Sequence, residues 1–337
     1  GAGSIEDPTG QGRPNALASP AVVDLTGNGV ADRIYAGDLY GNMWAFDVSD
    51  TRASNWELAT MQSAGSKPPL FSATSPSKRL VGASMQYQAQ PITTKPSVGA
   101  HPMGLNQGVL VAFGTGKYIE VDDNDADDQD TQSIYVIWDR LNGEAVNSKR
   151  SRVSGEDVYD ANLLRQAIIE EDSSNRLLSN NPIDWSTHSG WYLDFVNTQN
   201  NNSNNYGERQ VSNSLLLANK LSFTTMLPNT DTCASGGSGW YMELNLHSGR
   251  TWNTGTAGNT DPNDPNDTIN NDSSHQKVED GIPSSPGVII DPNLPSDGSL
   301  HDGSINQKNC ITLSNGSMLC FDDFTSPTGR LSLRRLH

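Results

Sequence analysis

The chain has 337 residues, 34% hydrophobic and 18% charged, with a formal net charge of -17. That length allows one large domain or two smaller ones, and the modest charged fraction argues against bulk disorder. A negative field of this size repels nucleic acid and anionic membrane surfaces and attracts divalent cations. No apolar run approaches the roughly 18 residues of a membrane span. No signal peptide is visible, and a start at Gly1 without Met is expected of a piece of a longer protein.

Residues 1–18 are polar and rich in Gly and Pro, and read as a flexible lead. From Ser19 the pattern is all-β. Short apolar runs end at Gly, Pro, Asn or Asp, as strands between tight turns do. Strands are expected at 19–23, 33–37 and 42–47, then at 108–114 and 133–139. Others follow at 220–226, 239–245, 317–321 and 330–336. The one helical pattern lies around 161–171, where Leu163, Leu164, Ala167 and Ile168 share a face at helical spacing.

Three times a strand, a glycine-rich turn and an aromatic strand ending in Asp or Asn recur. Loose repetition of sheet modules points to a β-propeller, though a sandwich can give the same pattern. About three to five modules of roughly 40 residues fit this length, fewer than many propellers need to close. On the propeller reading, residues 19–337 hold too few modules for a closed ring and are expected to be part of a larger one. Long polar loops at 122–130, 197–206 and 253–280 interrupt the modules.

The sharpest local signal is Asp24-Leu-Thr-Gly-Asn-Gly-Val-Ala-Asp32. Oxygen-bearing side chains at Asp24, Thr26, Asn28 and Asp32, with the carbonyl of Val30, follow the alternate spacing that wraps oxygens around a hard cation. Gly27 and Gly29 permit the tight turn. Ca2+ suits this set best. Mg2+ prefers to keep its own waters, and Zn2+ would want His or Cys. Tyr35 stands where an EF-hand would carry its glutamate, so the loop joins two strands. A metal-free Asx-rich turn is the alternative. A second acidic run, Asp122–Asp130, lacks glycine and reads as a solvated loop or a weak cation site.

Catalytic motifs are missing. The six histidines lack metal-binding spacing and read as surface or turn residues. No G-x-S-x-G elbow occurs, and the glycine-rich segment 233–240 has no phosphate-binding Lys. A binding module and not an enzyme is expected. Trp44, Trp138 and Trp240 fall inside strands and read as core. Trp56, Trp185, Trp191 and Trp252 lie nearer turns and are the candidates for a ligand-facing surface. Cys310 and Cys320 flank the turn Ser314-Asn-Gly-Ser317, so a hairpin would bring their thiols together. Cys233 is left unpaired, or bonds to one of them or to a segment outside the chain.

Several segments resemble the PilC/PilY family of type IV pilus proteins. The longest is Ser19–Asp47, and others are Gln90–Pro96, Phe113–Tyr118, Gln132–Asp139, Gly190–Asp194 and Gly207–Arg209. Phe223–Thr225, Cys233 with Gly236–Trp240, and Gly329–Ser332 also agree, so the likeness spans most of 15–336. The resemblance implies a modified β-propeller near the C-terminal end of a longer cell-surface protein. It also implies a calcium loop that governs pilus extension and retraction, at Asp24, Thr26, Asn28, Val30 and Asp32. Implied partners are pilus-tip or minor pilin proteins and host or abiotic surfaces, with roles in pilus biogenesis and adhesion. The implied location is the pilus tip or outer surface of a bacterium. Thr26 departs from the Asp or Asn usual there and removes a strong ligand. The family's propeller also begins well before the signature segment. Two rival readings are a lectin and a quinone-dependent dehydrogenase propeller.

Overall fold

The computed structural model describes residues 14–61, 67–81, 84–124, 130–146, 151–153, 156–158, 162–173, 175–197, 207–229, 236–252, 275–279, 281–290 and 307–323. Among these the chain is all-β, and its only helical segments are three short 3-10 turns. In chain order the strands are β1 (Ala21–Val23), β2 (Arg33–Gly37), β3 (Asn42–Asp47), β4 (Glu57–Leu58), β5 (Phe71–Ser72), β6 (Thr74–Val81), β7 (Ser84–Ala89) and β8 (Ser97–Ala100). Next come β9 (Val109–Gly114), β10 (Ser133–Asp139), β11 (Ser151–Val153), β12 (Glu156–Val158), β13 (Leu164–Glu171), β14 (Arg176–Leu178) and β15 (Gly190–Asn197). The last are β16 (Leu215–Leu217), β17 (Lys220–Pro228), β18 (Gly237–Asn245), β19 (His275–Val278), β20 (Gly287–Ile290), β21 (Gln307–Thr312) and β22 (Met318–Asp323).

These form four main sheets. The first is β1-β2-β3-β4 with β5 also on β3, and the second is β14-β13-β15-β10-β9-β8. The third is β16-β17-β18-β19 and the fourth β20-β21-β22. Two hairpins, β6-β7 and β11-β12, stand apart. Pairing is antiparallel except between β13 and β15, which run parallel.

The sheets stack face to face in chain order, as propeller blades do. Side chains alternate across a strand, so a sheet covered on both faces must be apolar at nearly every position. β10 shows this. Tyr135 and Ile137 join a core with Tyr35, Met43 and Phe71 of the first sheet. Ile134, Val136 and Trp138 join a second core with Leu221, Phe223, Trp240 and Met242 of the third sheet. A third core, with Tyr241 and Val278 on one side and Ile311, Leu313 and Phe321 on the other, seats the fourth sheet on the third.

The helix expected around 161–171 is a strand instead. Burial along β13 alternates, with Gln166 and Ile168 fully buried between more exposed neighbours. The buried Gln166 amide donates to the carbonyls of Asn181 and Ser248, and its oxygen accepts from Ser179 and Asn181. Those bonds satisfy a polar group that an amphipathic helix would have turned to water. The helical spacing of the leucines is coincidental.

The other expected strands through 321 are present. The one expected at 330–336 lies outside the described residues, as do 1–13 of the lead, Cys233, and most of the loops at 197–206 and 253–280. Residues 15–18 run beside the first sheet. Ala18 donates to the Gly37 carbonyl, and Leu39 to that of Ala16. Cys310 and Cys320 face each other across β21 and β22 and form a disulfide.

Candidate metal centre

The 24–32 loop is the connection of the β1–β2 hairpin. Asp24 follows β1 directly and Asp32 precedes β2. Its base is fixed by backbone bonds from Asp32 N–H to the Val23 carbonyl and from Val48 N–H to the Asp32 carbonyl. Gly27 and Gly29 have φ of 74° and 85°, the left-handed region that side chains avoid. A Cβ on either would meet nothing within 4 Å, so the requirement is conformational and not steric.

The two carboxylates organise the loop. Asp24 Oδ1 accepts from Gly27 N–H at 2.7 Å and Asn28 N–H at 3.2 Å, while Oδ2 accepts from Gly29 N–H at 2.6 Å. Asp32 Oδ2 accepts from the N–H groups of Leu25 and Thr26 at 2.8 and 3.1 Å. Burial of Asp24 opposes its ionisation. The Gly29, Gly27 and Asn28 N–H groups and the Thr26 hydroxyl outweigh that and hold its carboxyl below the usual carboxylate range.

Thr26 Oγ1 lies 3.4 Å from Asp24 Oδ1 and 3.3 Å from Asp32 Oδ2. One hydroxyl therefore sits between two carboxylates eight residues apart in sequence, which places both at the same loop interior. Asn28 Oδ1 accepts from Val30 N–H at 2.7 Å in an Asx turn. Val30 has an apolar, exposed side chain, so its only ligand is its backbone carbonyl.

The donor set fits a hard cation. It holds only oxygens, two of its groups are anionic, and neither Asp24 nor Asp32 is in an ion pair among the described residues. Asp24, Thr26, Asn28, Asp32 and the Val30 carbonyl would hold Ca2+, with water completing its six to eight oxygens. When bound, the ion neutralises the two carboxylates. Among the described residues no cluster of three or more His, Cys, Asp or Glu that could hold a metal is present, and this loop contributes two carboxylates, its other oxygens being a hydroxyl, an amide and a carbonyl.

The second acidic run is organised differently where it is described. Asp123 is buried, 2.6 Å from Lys117 Nζ, and accepts from the N–H groups of Ile119 and Glu120. Its charge already has a cation. Residues 125–129 lie outside the described residues.

Other expectations are corrected by burial. Trp191 is wholly buried, with its indole N–H on the Leu246 carbonyl, and cannot face a ligand. Trp185 is half-buried against His101 and Trp138. Only Trp56 of that group is prominently exposed. His101 and His275 are buried, not surface residues, and His101 stacks on Trp138 with ring centres 4.1 Å apart. Burial first, then the nearby His247 and Arg140, push the His101 imidazole down to about 4.

One organising residue went unread in the sequence. Asp38 is fully buried beyond β2 and accepts from Tyr40 and Asn42 N–H groups, Asn42 Nδ2, Trp44 Nε1 and Asn15 Nδ2. It closes the β2–β3 turn and ties the lead to the first sheet. The segment Gly37-Asp-Leu-Tyr-Gly41 carried the turn signal that could have found it.

The PilY1 beta-propeller domain family model matches residues 2–181. The type IV pilus biogenesis factor PilY1 of Pseudomonas aeruginosa is 34% identical over 264 residues, covering 71% of this chain and 21% of that protein. A type IV pilus biogenesis factor PilY1 homolog of Xylella fastidiosa is 31% identical over 244 residues, covering 72% of this chain and 15% of that protein. The chain thus spans about a fifth or less of the length of these curated relatives. The crystal structure of the Pseudomonas aeruginosa PilY1 C-terminal domain superposes with a TM-score of 0.65 at 23% identity, over 94% of this chain and 62% of that one. That likeness supports the fold across the third and fourth sheets, beyond the family match. By sequence and by architecture, the chain belongs to the PilY1 β-propeller family.

Proposed function

We propose that this chain is a calcium-binding propeller module of a type IV pilus-associated protein. Its role is in pilus biogenesis, in control of extension and retraction, and in adhesion to surfaces. The supporting observation is the 24–32 loop, where two carboxylates and a hydroxyl converge on one interior with no cationic side chain among the described residues. The relatives named as type IV pilus biogenesis factors supply the setting.

The physical role of the ion is to stiffen. Without it, Asp24 and Asp32 repel and only N–H groups and Thr26 restrain them. With it, the β1–β2 connection is pinned at the edge of the first sheet. A pinned edge presents a fixed surface to a pilus-tip or minor pilin protein, or to a host or abiotic surface. The function is binding and not catalysis, and its place is the bacterial cell surface at the pilus tip.

Titration calorimetry tests the site. Calcium is expected to give a saturable heat that disappears in Asp24→Ala and in Asp32→Ala. A heat unchanged in both variants overturns the assignment.

A further inference from the structure

The third and fourth sheets meet at a buried polar cluster that the calcium reading does not use. Lys220 on β17 and Glu243 on β18 lie on one face of the third sheet, with Lys220 Nζ 3.1 Å from Glu243 Oε1. Asn309 on β21 crosses from the fourth sheet, and its Nδ2 donates to the same oxygen at 2.9 Å. Lys220, Glu243 and Asn309 are 1%, 6% and 0% exposed. Tyr241 donates its hydroxyl to Glu243 as well, and its ring stacks on Phe321 at 4.1 Å. Ile311, Leu313 and Val278 complete an apolar surround.

Burying a lysine, a carboxylate and an amide together is costly unless every group is matched. Here the match is incomplete. Asn309 Oδ1 is buried with no hydrogen-bond partner among the described residues. The chemistry of the three groups is complementary: an amine, a carboxyl able to move a proton, and a carboxamide whose nitrogen can leave. A carboxylate oxygen shared by the amine and the amide nitrogen is where a proton shuttle between them must sit.

We propose that Lys220 and Asn309 form an intramolecular isopeptide bond, with Glu243 as the catalytic acid–base. Glu243 takes a proton from the Lys220 ammonium across their 3.1 Å contact. The neutral Nζ then attacks Asn309 Cγ, and the C=O π pair moves to Oδ1. Glu243 returns its proton to Nδ2. The Cγ–Nδ2 bond breaks as the carbonyl re-forms; of the two protons left on Nζ one stays as the amide N–H and the other passes to the departing ammonia, giving ammonium. Lysine ammonium and carboxamide thus become a secondary amide and ammonium, with Glu243 regenerated and no other reactant consumed. Holding amine and amide on strands of two packed sheets, against one carboxylate oxygen, replaces a bimolecular encounter and is what makes so slow an aminolysis feasible.

The product would clamp β17 to β21 and so fasten the fourth sheet to the third by a bond that pulling cannot unzip. The inference stands apart from the calcium site and shares no residue with it.

Mass spectrometry of the folded chain, incubated and then reduced, tests it. The intact mass is expected to be lower than the sequence mass by one ammonia. Digestion should give one branched peptide joining Lys220 to Asn309. Glu243→Gln and Asn309→Ala should each restore the full mass and two linear peptides. The wild-type branched peptide decides the matter even where a variant fails to fold. A full mass overturns the proposal, and so does ammonia loss confined to one linear peptide, as a succinimide at Asn28–Gly29 would give.

Discussion

The loops at 24–32 and 117–124 are both acidic, yet their carboxylates are held in opposite ways. Asp123 is neutralised from within by Lys117 and the N–H groups of Ile119 and Glu120. The buried Arg209 then fixes the same loop by donating to the carbonyls of Lys117 and Asp123. Asp24 and Asp32 have N–H donors and a shared hydroxyl, but no cationic side chain among the described residues. The difference teaches that a count of acidic residues does not make a cation site. What matters is whether inward-facing charge has already been matched by the fold.

The sharpest way to break the comparison is to remove the internal cation. Lys117→Met removes the direct cation of buried Asp123, whose charge then rests on the Ile119 and Glu120 N–H groups and the field of Arg209, at a cost of about 3 kcal/mol. Chemical denaturation is expected to show a loss of that order, while the calcium heat stays as in the wild type. A variant that instead gained a second calcium heat would show that this loop, too, is a cation site held shut by Lys117. A variant of unchanged stability would show the pair to be a solvated contact.

The same contrast explains what could be read in advance. Alternate oxygens and two glycines mark the 24–32 loop because every side-chain contact that organises its interior is local, within eight residues. The placement of the 117–124 loop depends also on Arg209, which donates to the Asp123 backbone carbonyl from 86 positions away, and no local pattern reports it. The strands were legible for a similar reason. β9 and β10 are covered on both faces and read as nearly continuous apolar runs, while β17 and β18 show shorter apolar and aromatic stretches between turn residues. β13 was misread because its inward positions alternate a glutamine with an isoleucine, and the glutamine's partners come from distant loops. The Lys220–Glu243–Asn309 cluster was invisible too, since it joins strands of two sheets through single polar residues.

A second test works on the cation loop itself. Thr26→Asp places a third carboxylate where Thr26 Oγ1 now sits between the other two. Calcium affinity is expected to rise about tenfold, or ~1.4 kcal/mol. Without calcium the extra charge adds repulsion, so the apo variant should melt below the wild type. Calorimetry and melting with and without chelator measure both effects. A variant with unchanged affinity would show that position 26 does not reach the ion.

The smallest expected effect is local and separates the loops by pH and by metal. Both Asp24 and Asp123 titrate below the ordinary aspartate value of 3.8 in the folded chain. For Asp24, burial opposes the shift and the Gly29, Gly27 and Asn28 N–H groups produce it. For Asp123, burial opposes it and Lys117 leads the groups that overcome it. A depressed carboxyl contributes stability that is complete above the unfolded value and is lost as pH falls through the folded one. Amide exchange of Gly27 and Gly29, and of Ile119 and Glu120, should therefore quicken together once pH drops below 3.8, beyond the intrinsic pH trend. Calcium at neutral pH should slow exchange at Gly27 and Gly29 alone, because only there does added positive charge meet carboxylates without a cation. Equal slowing at Ile119 and Glu120 would erase the distinction between the two loops.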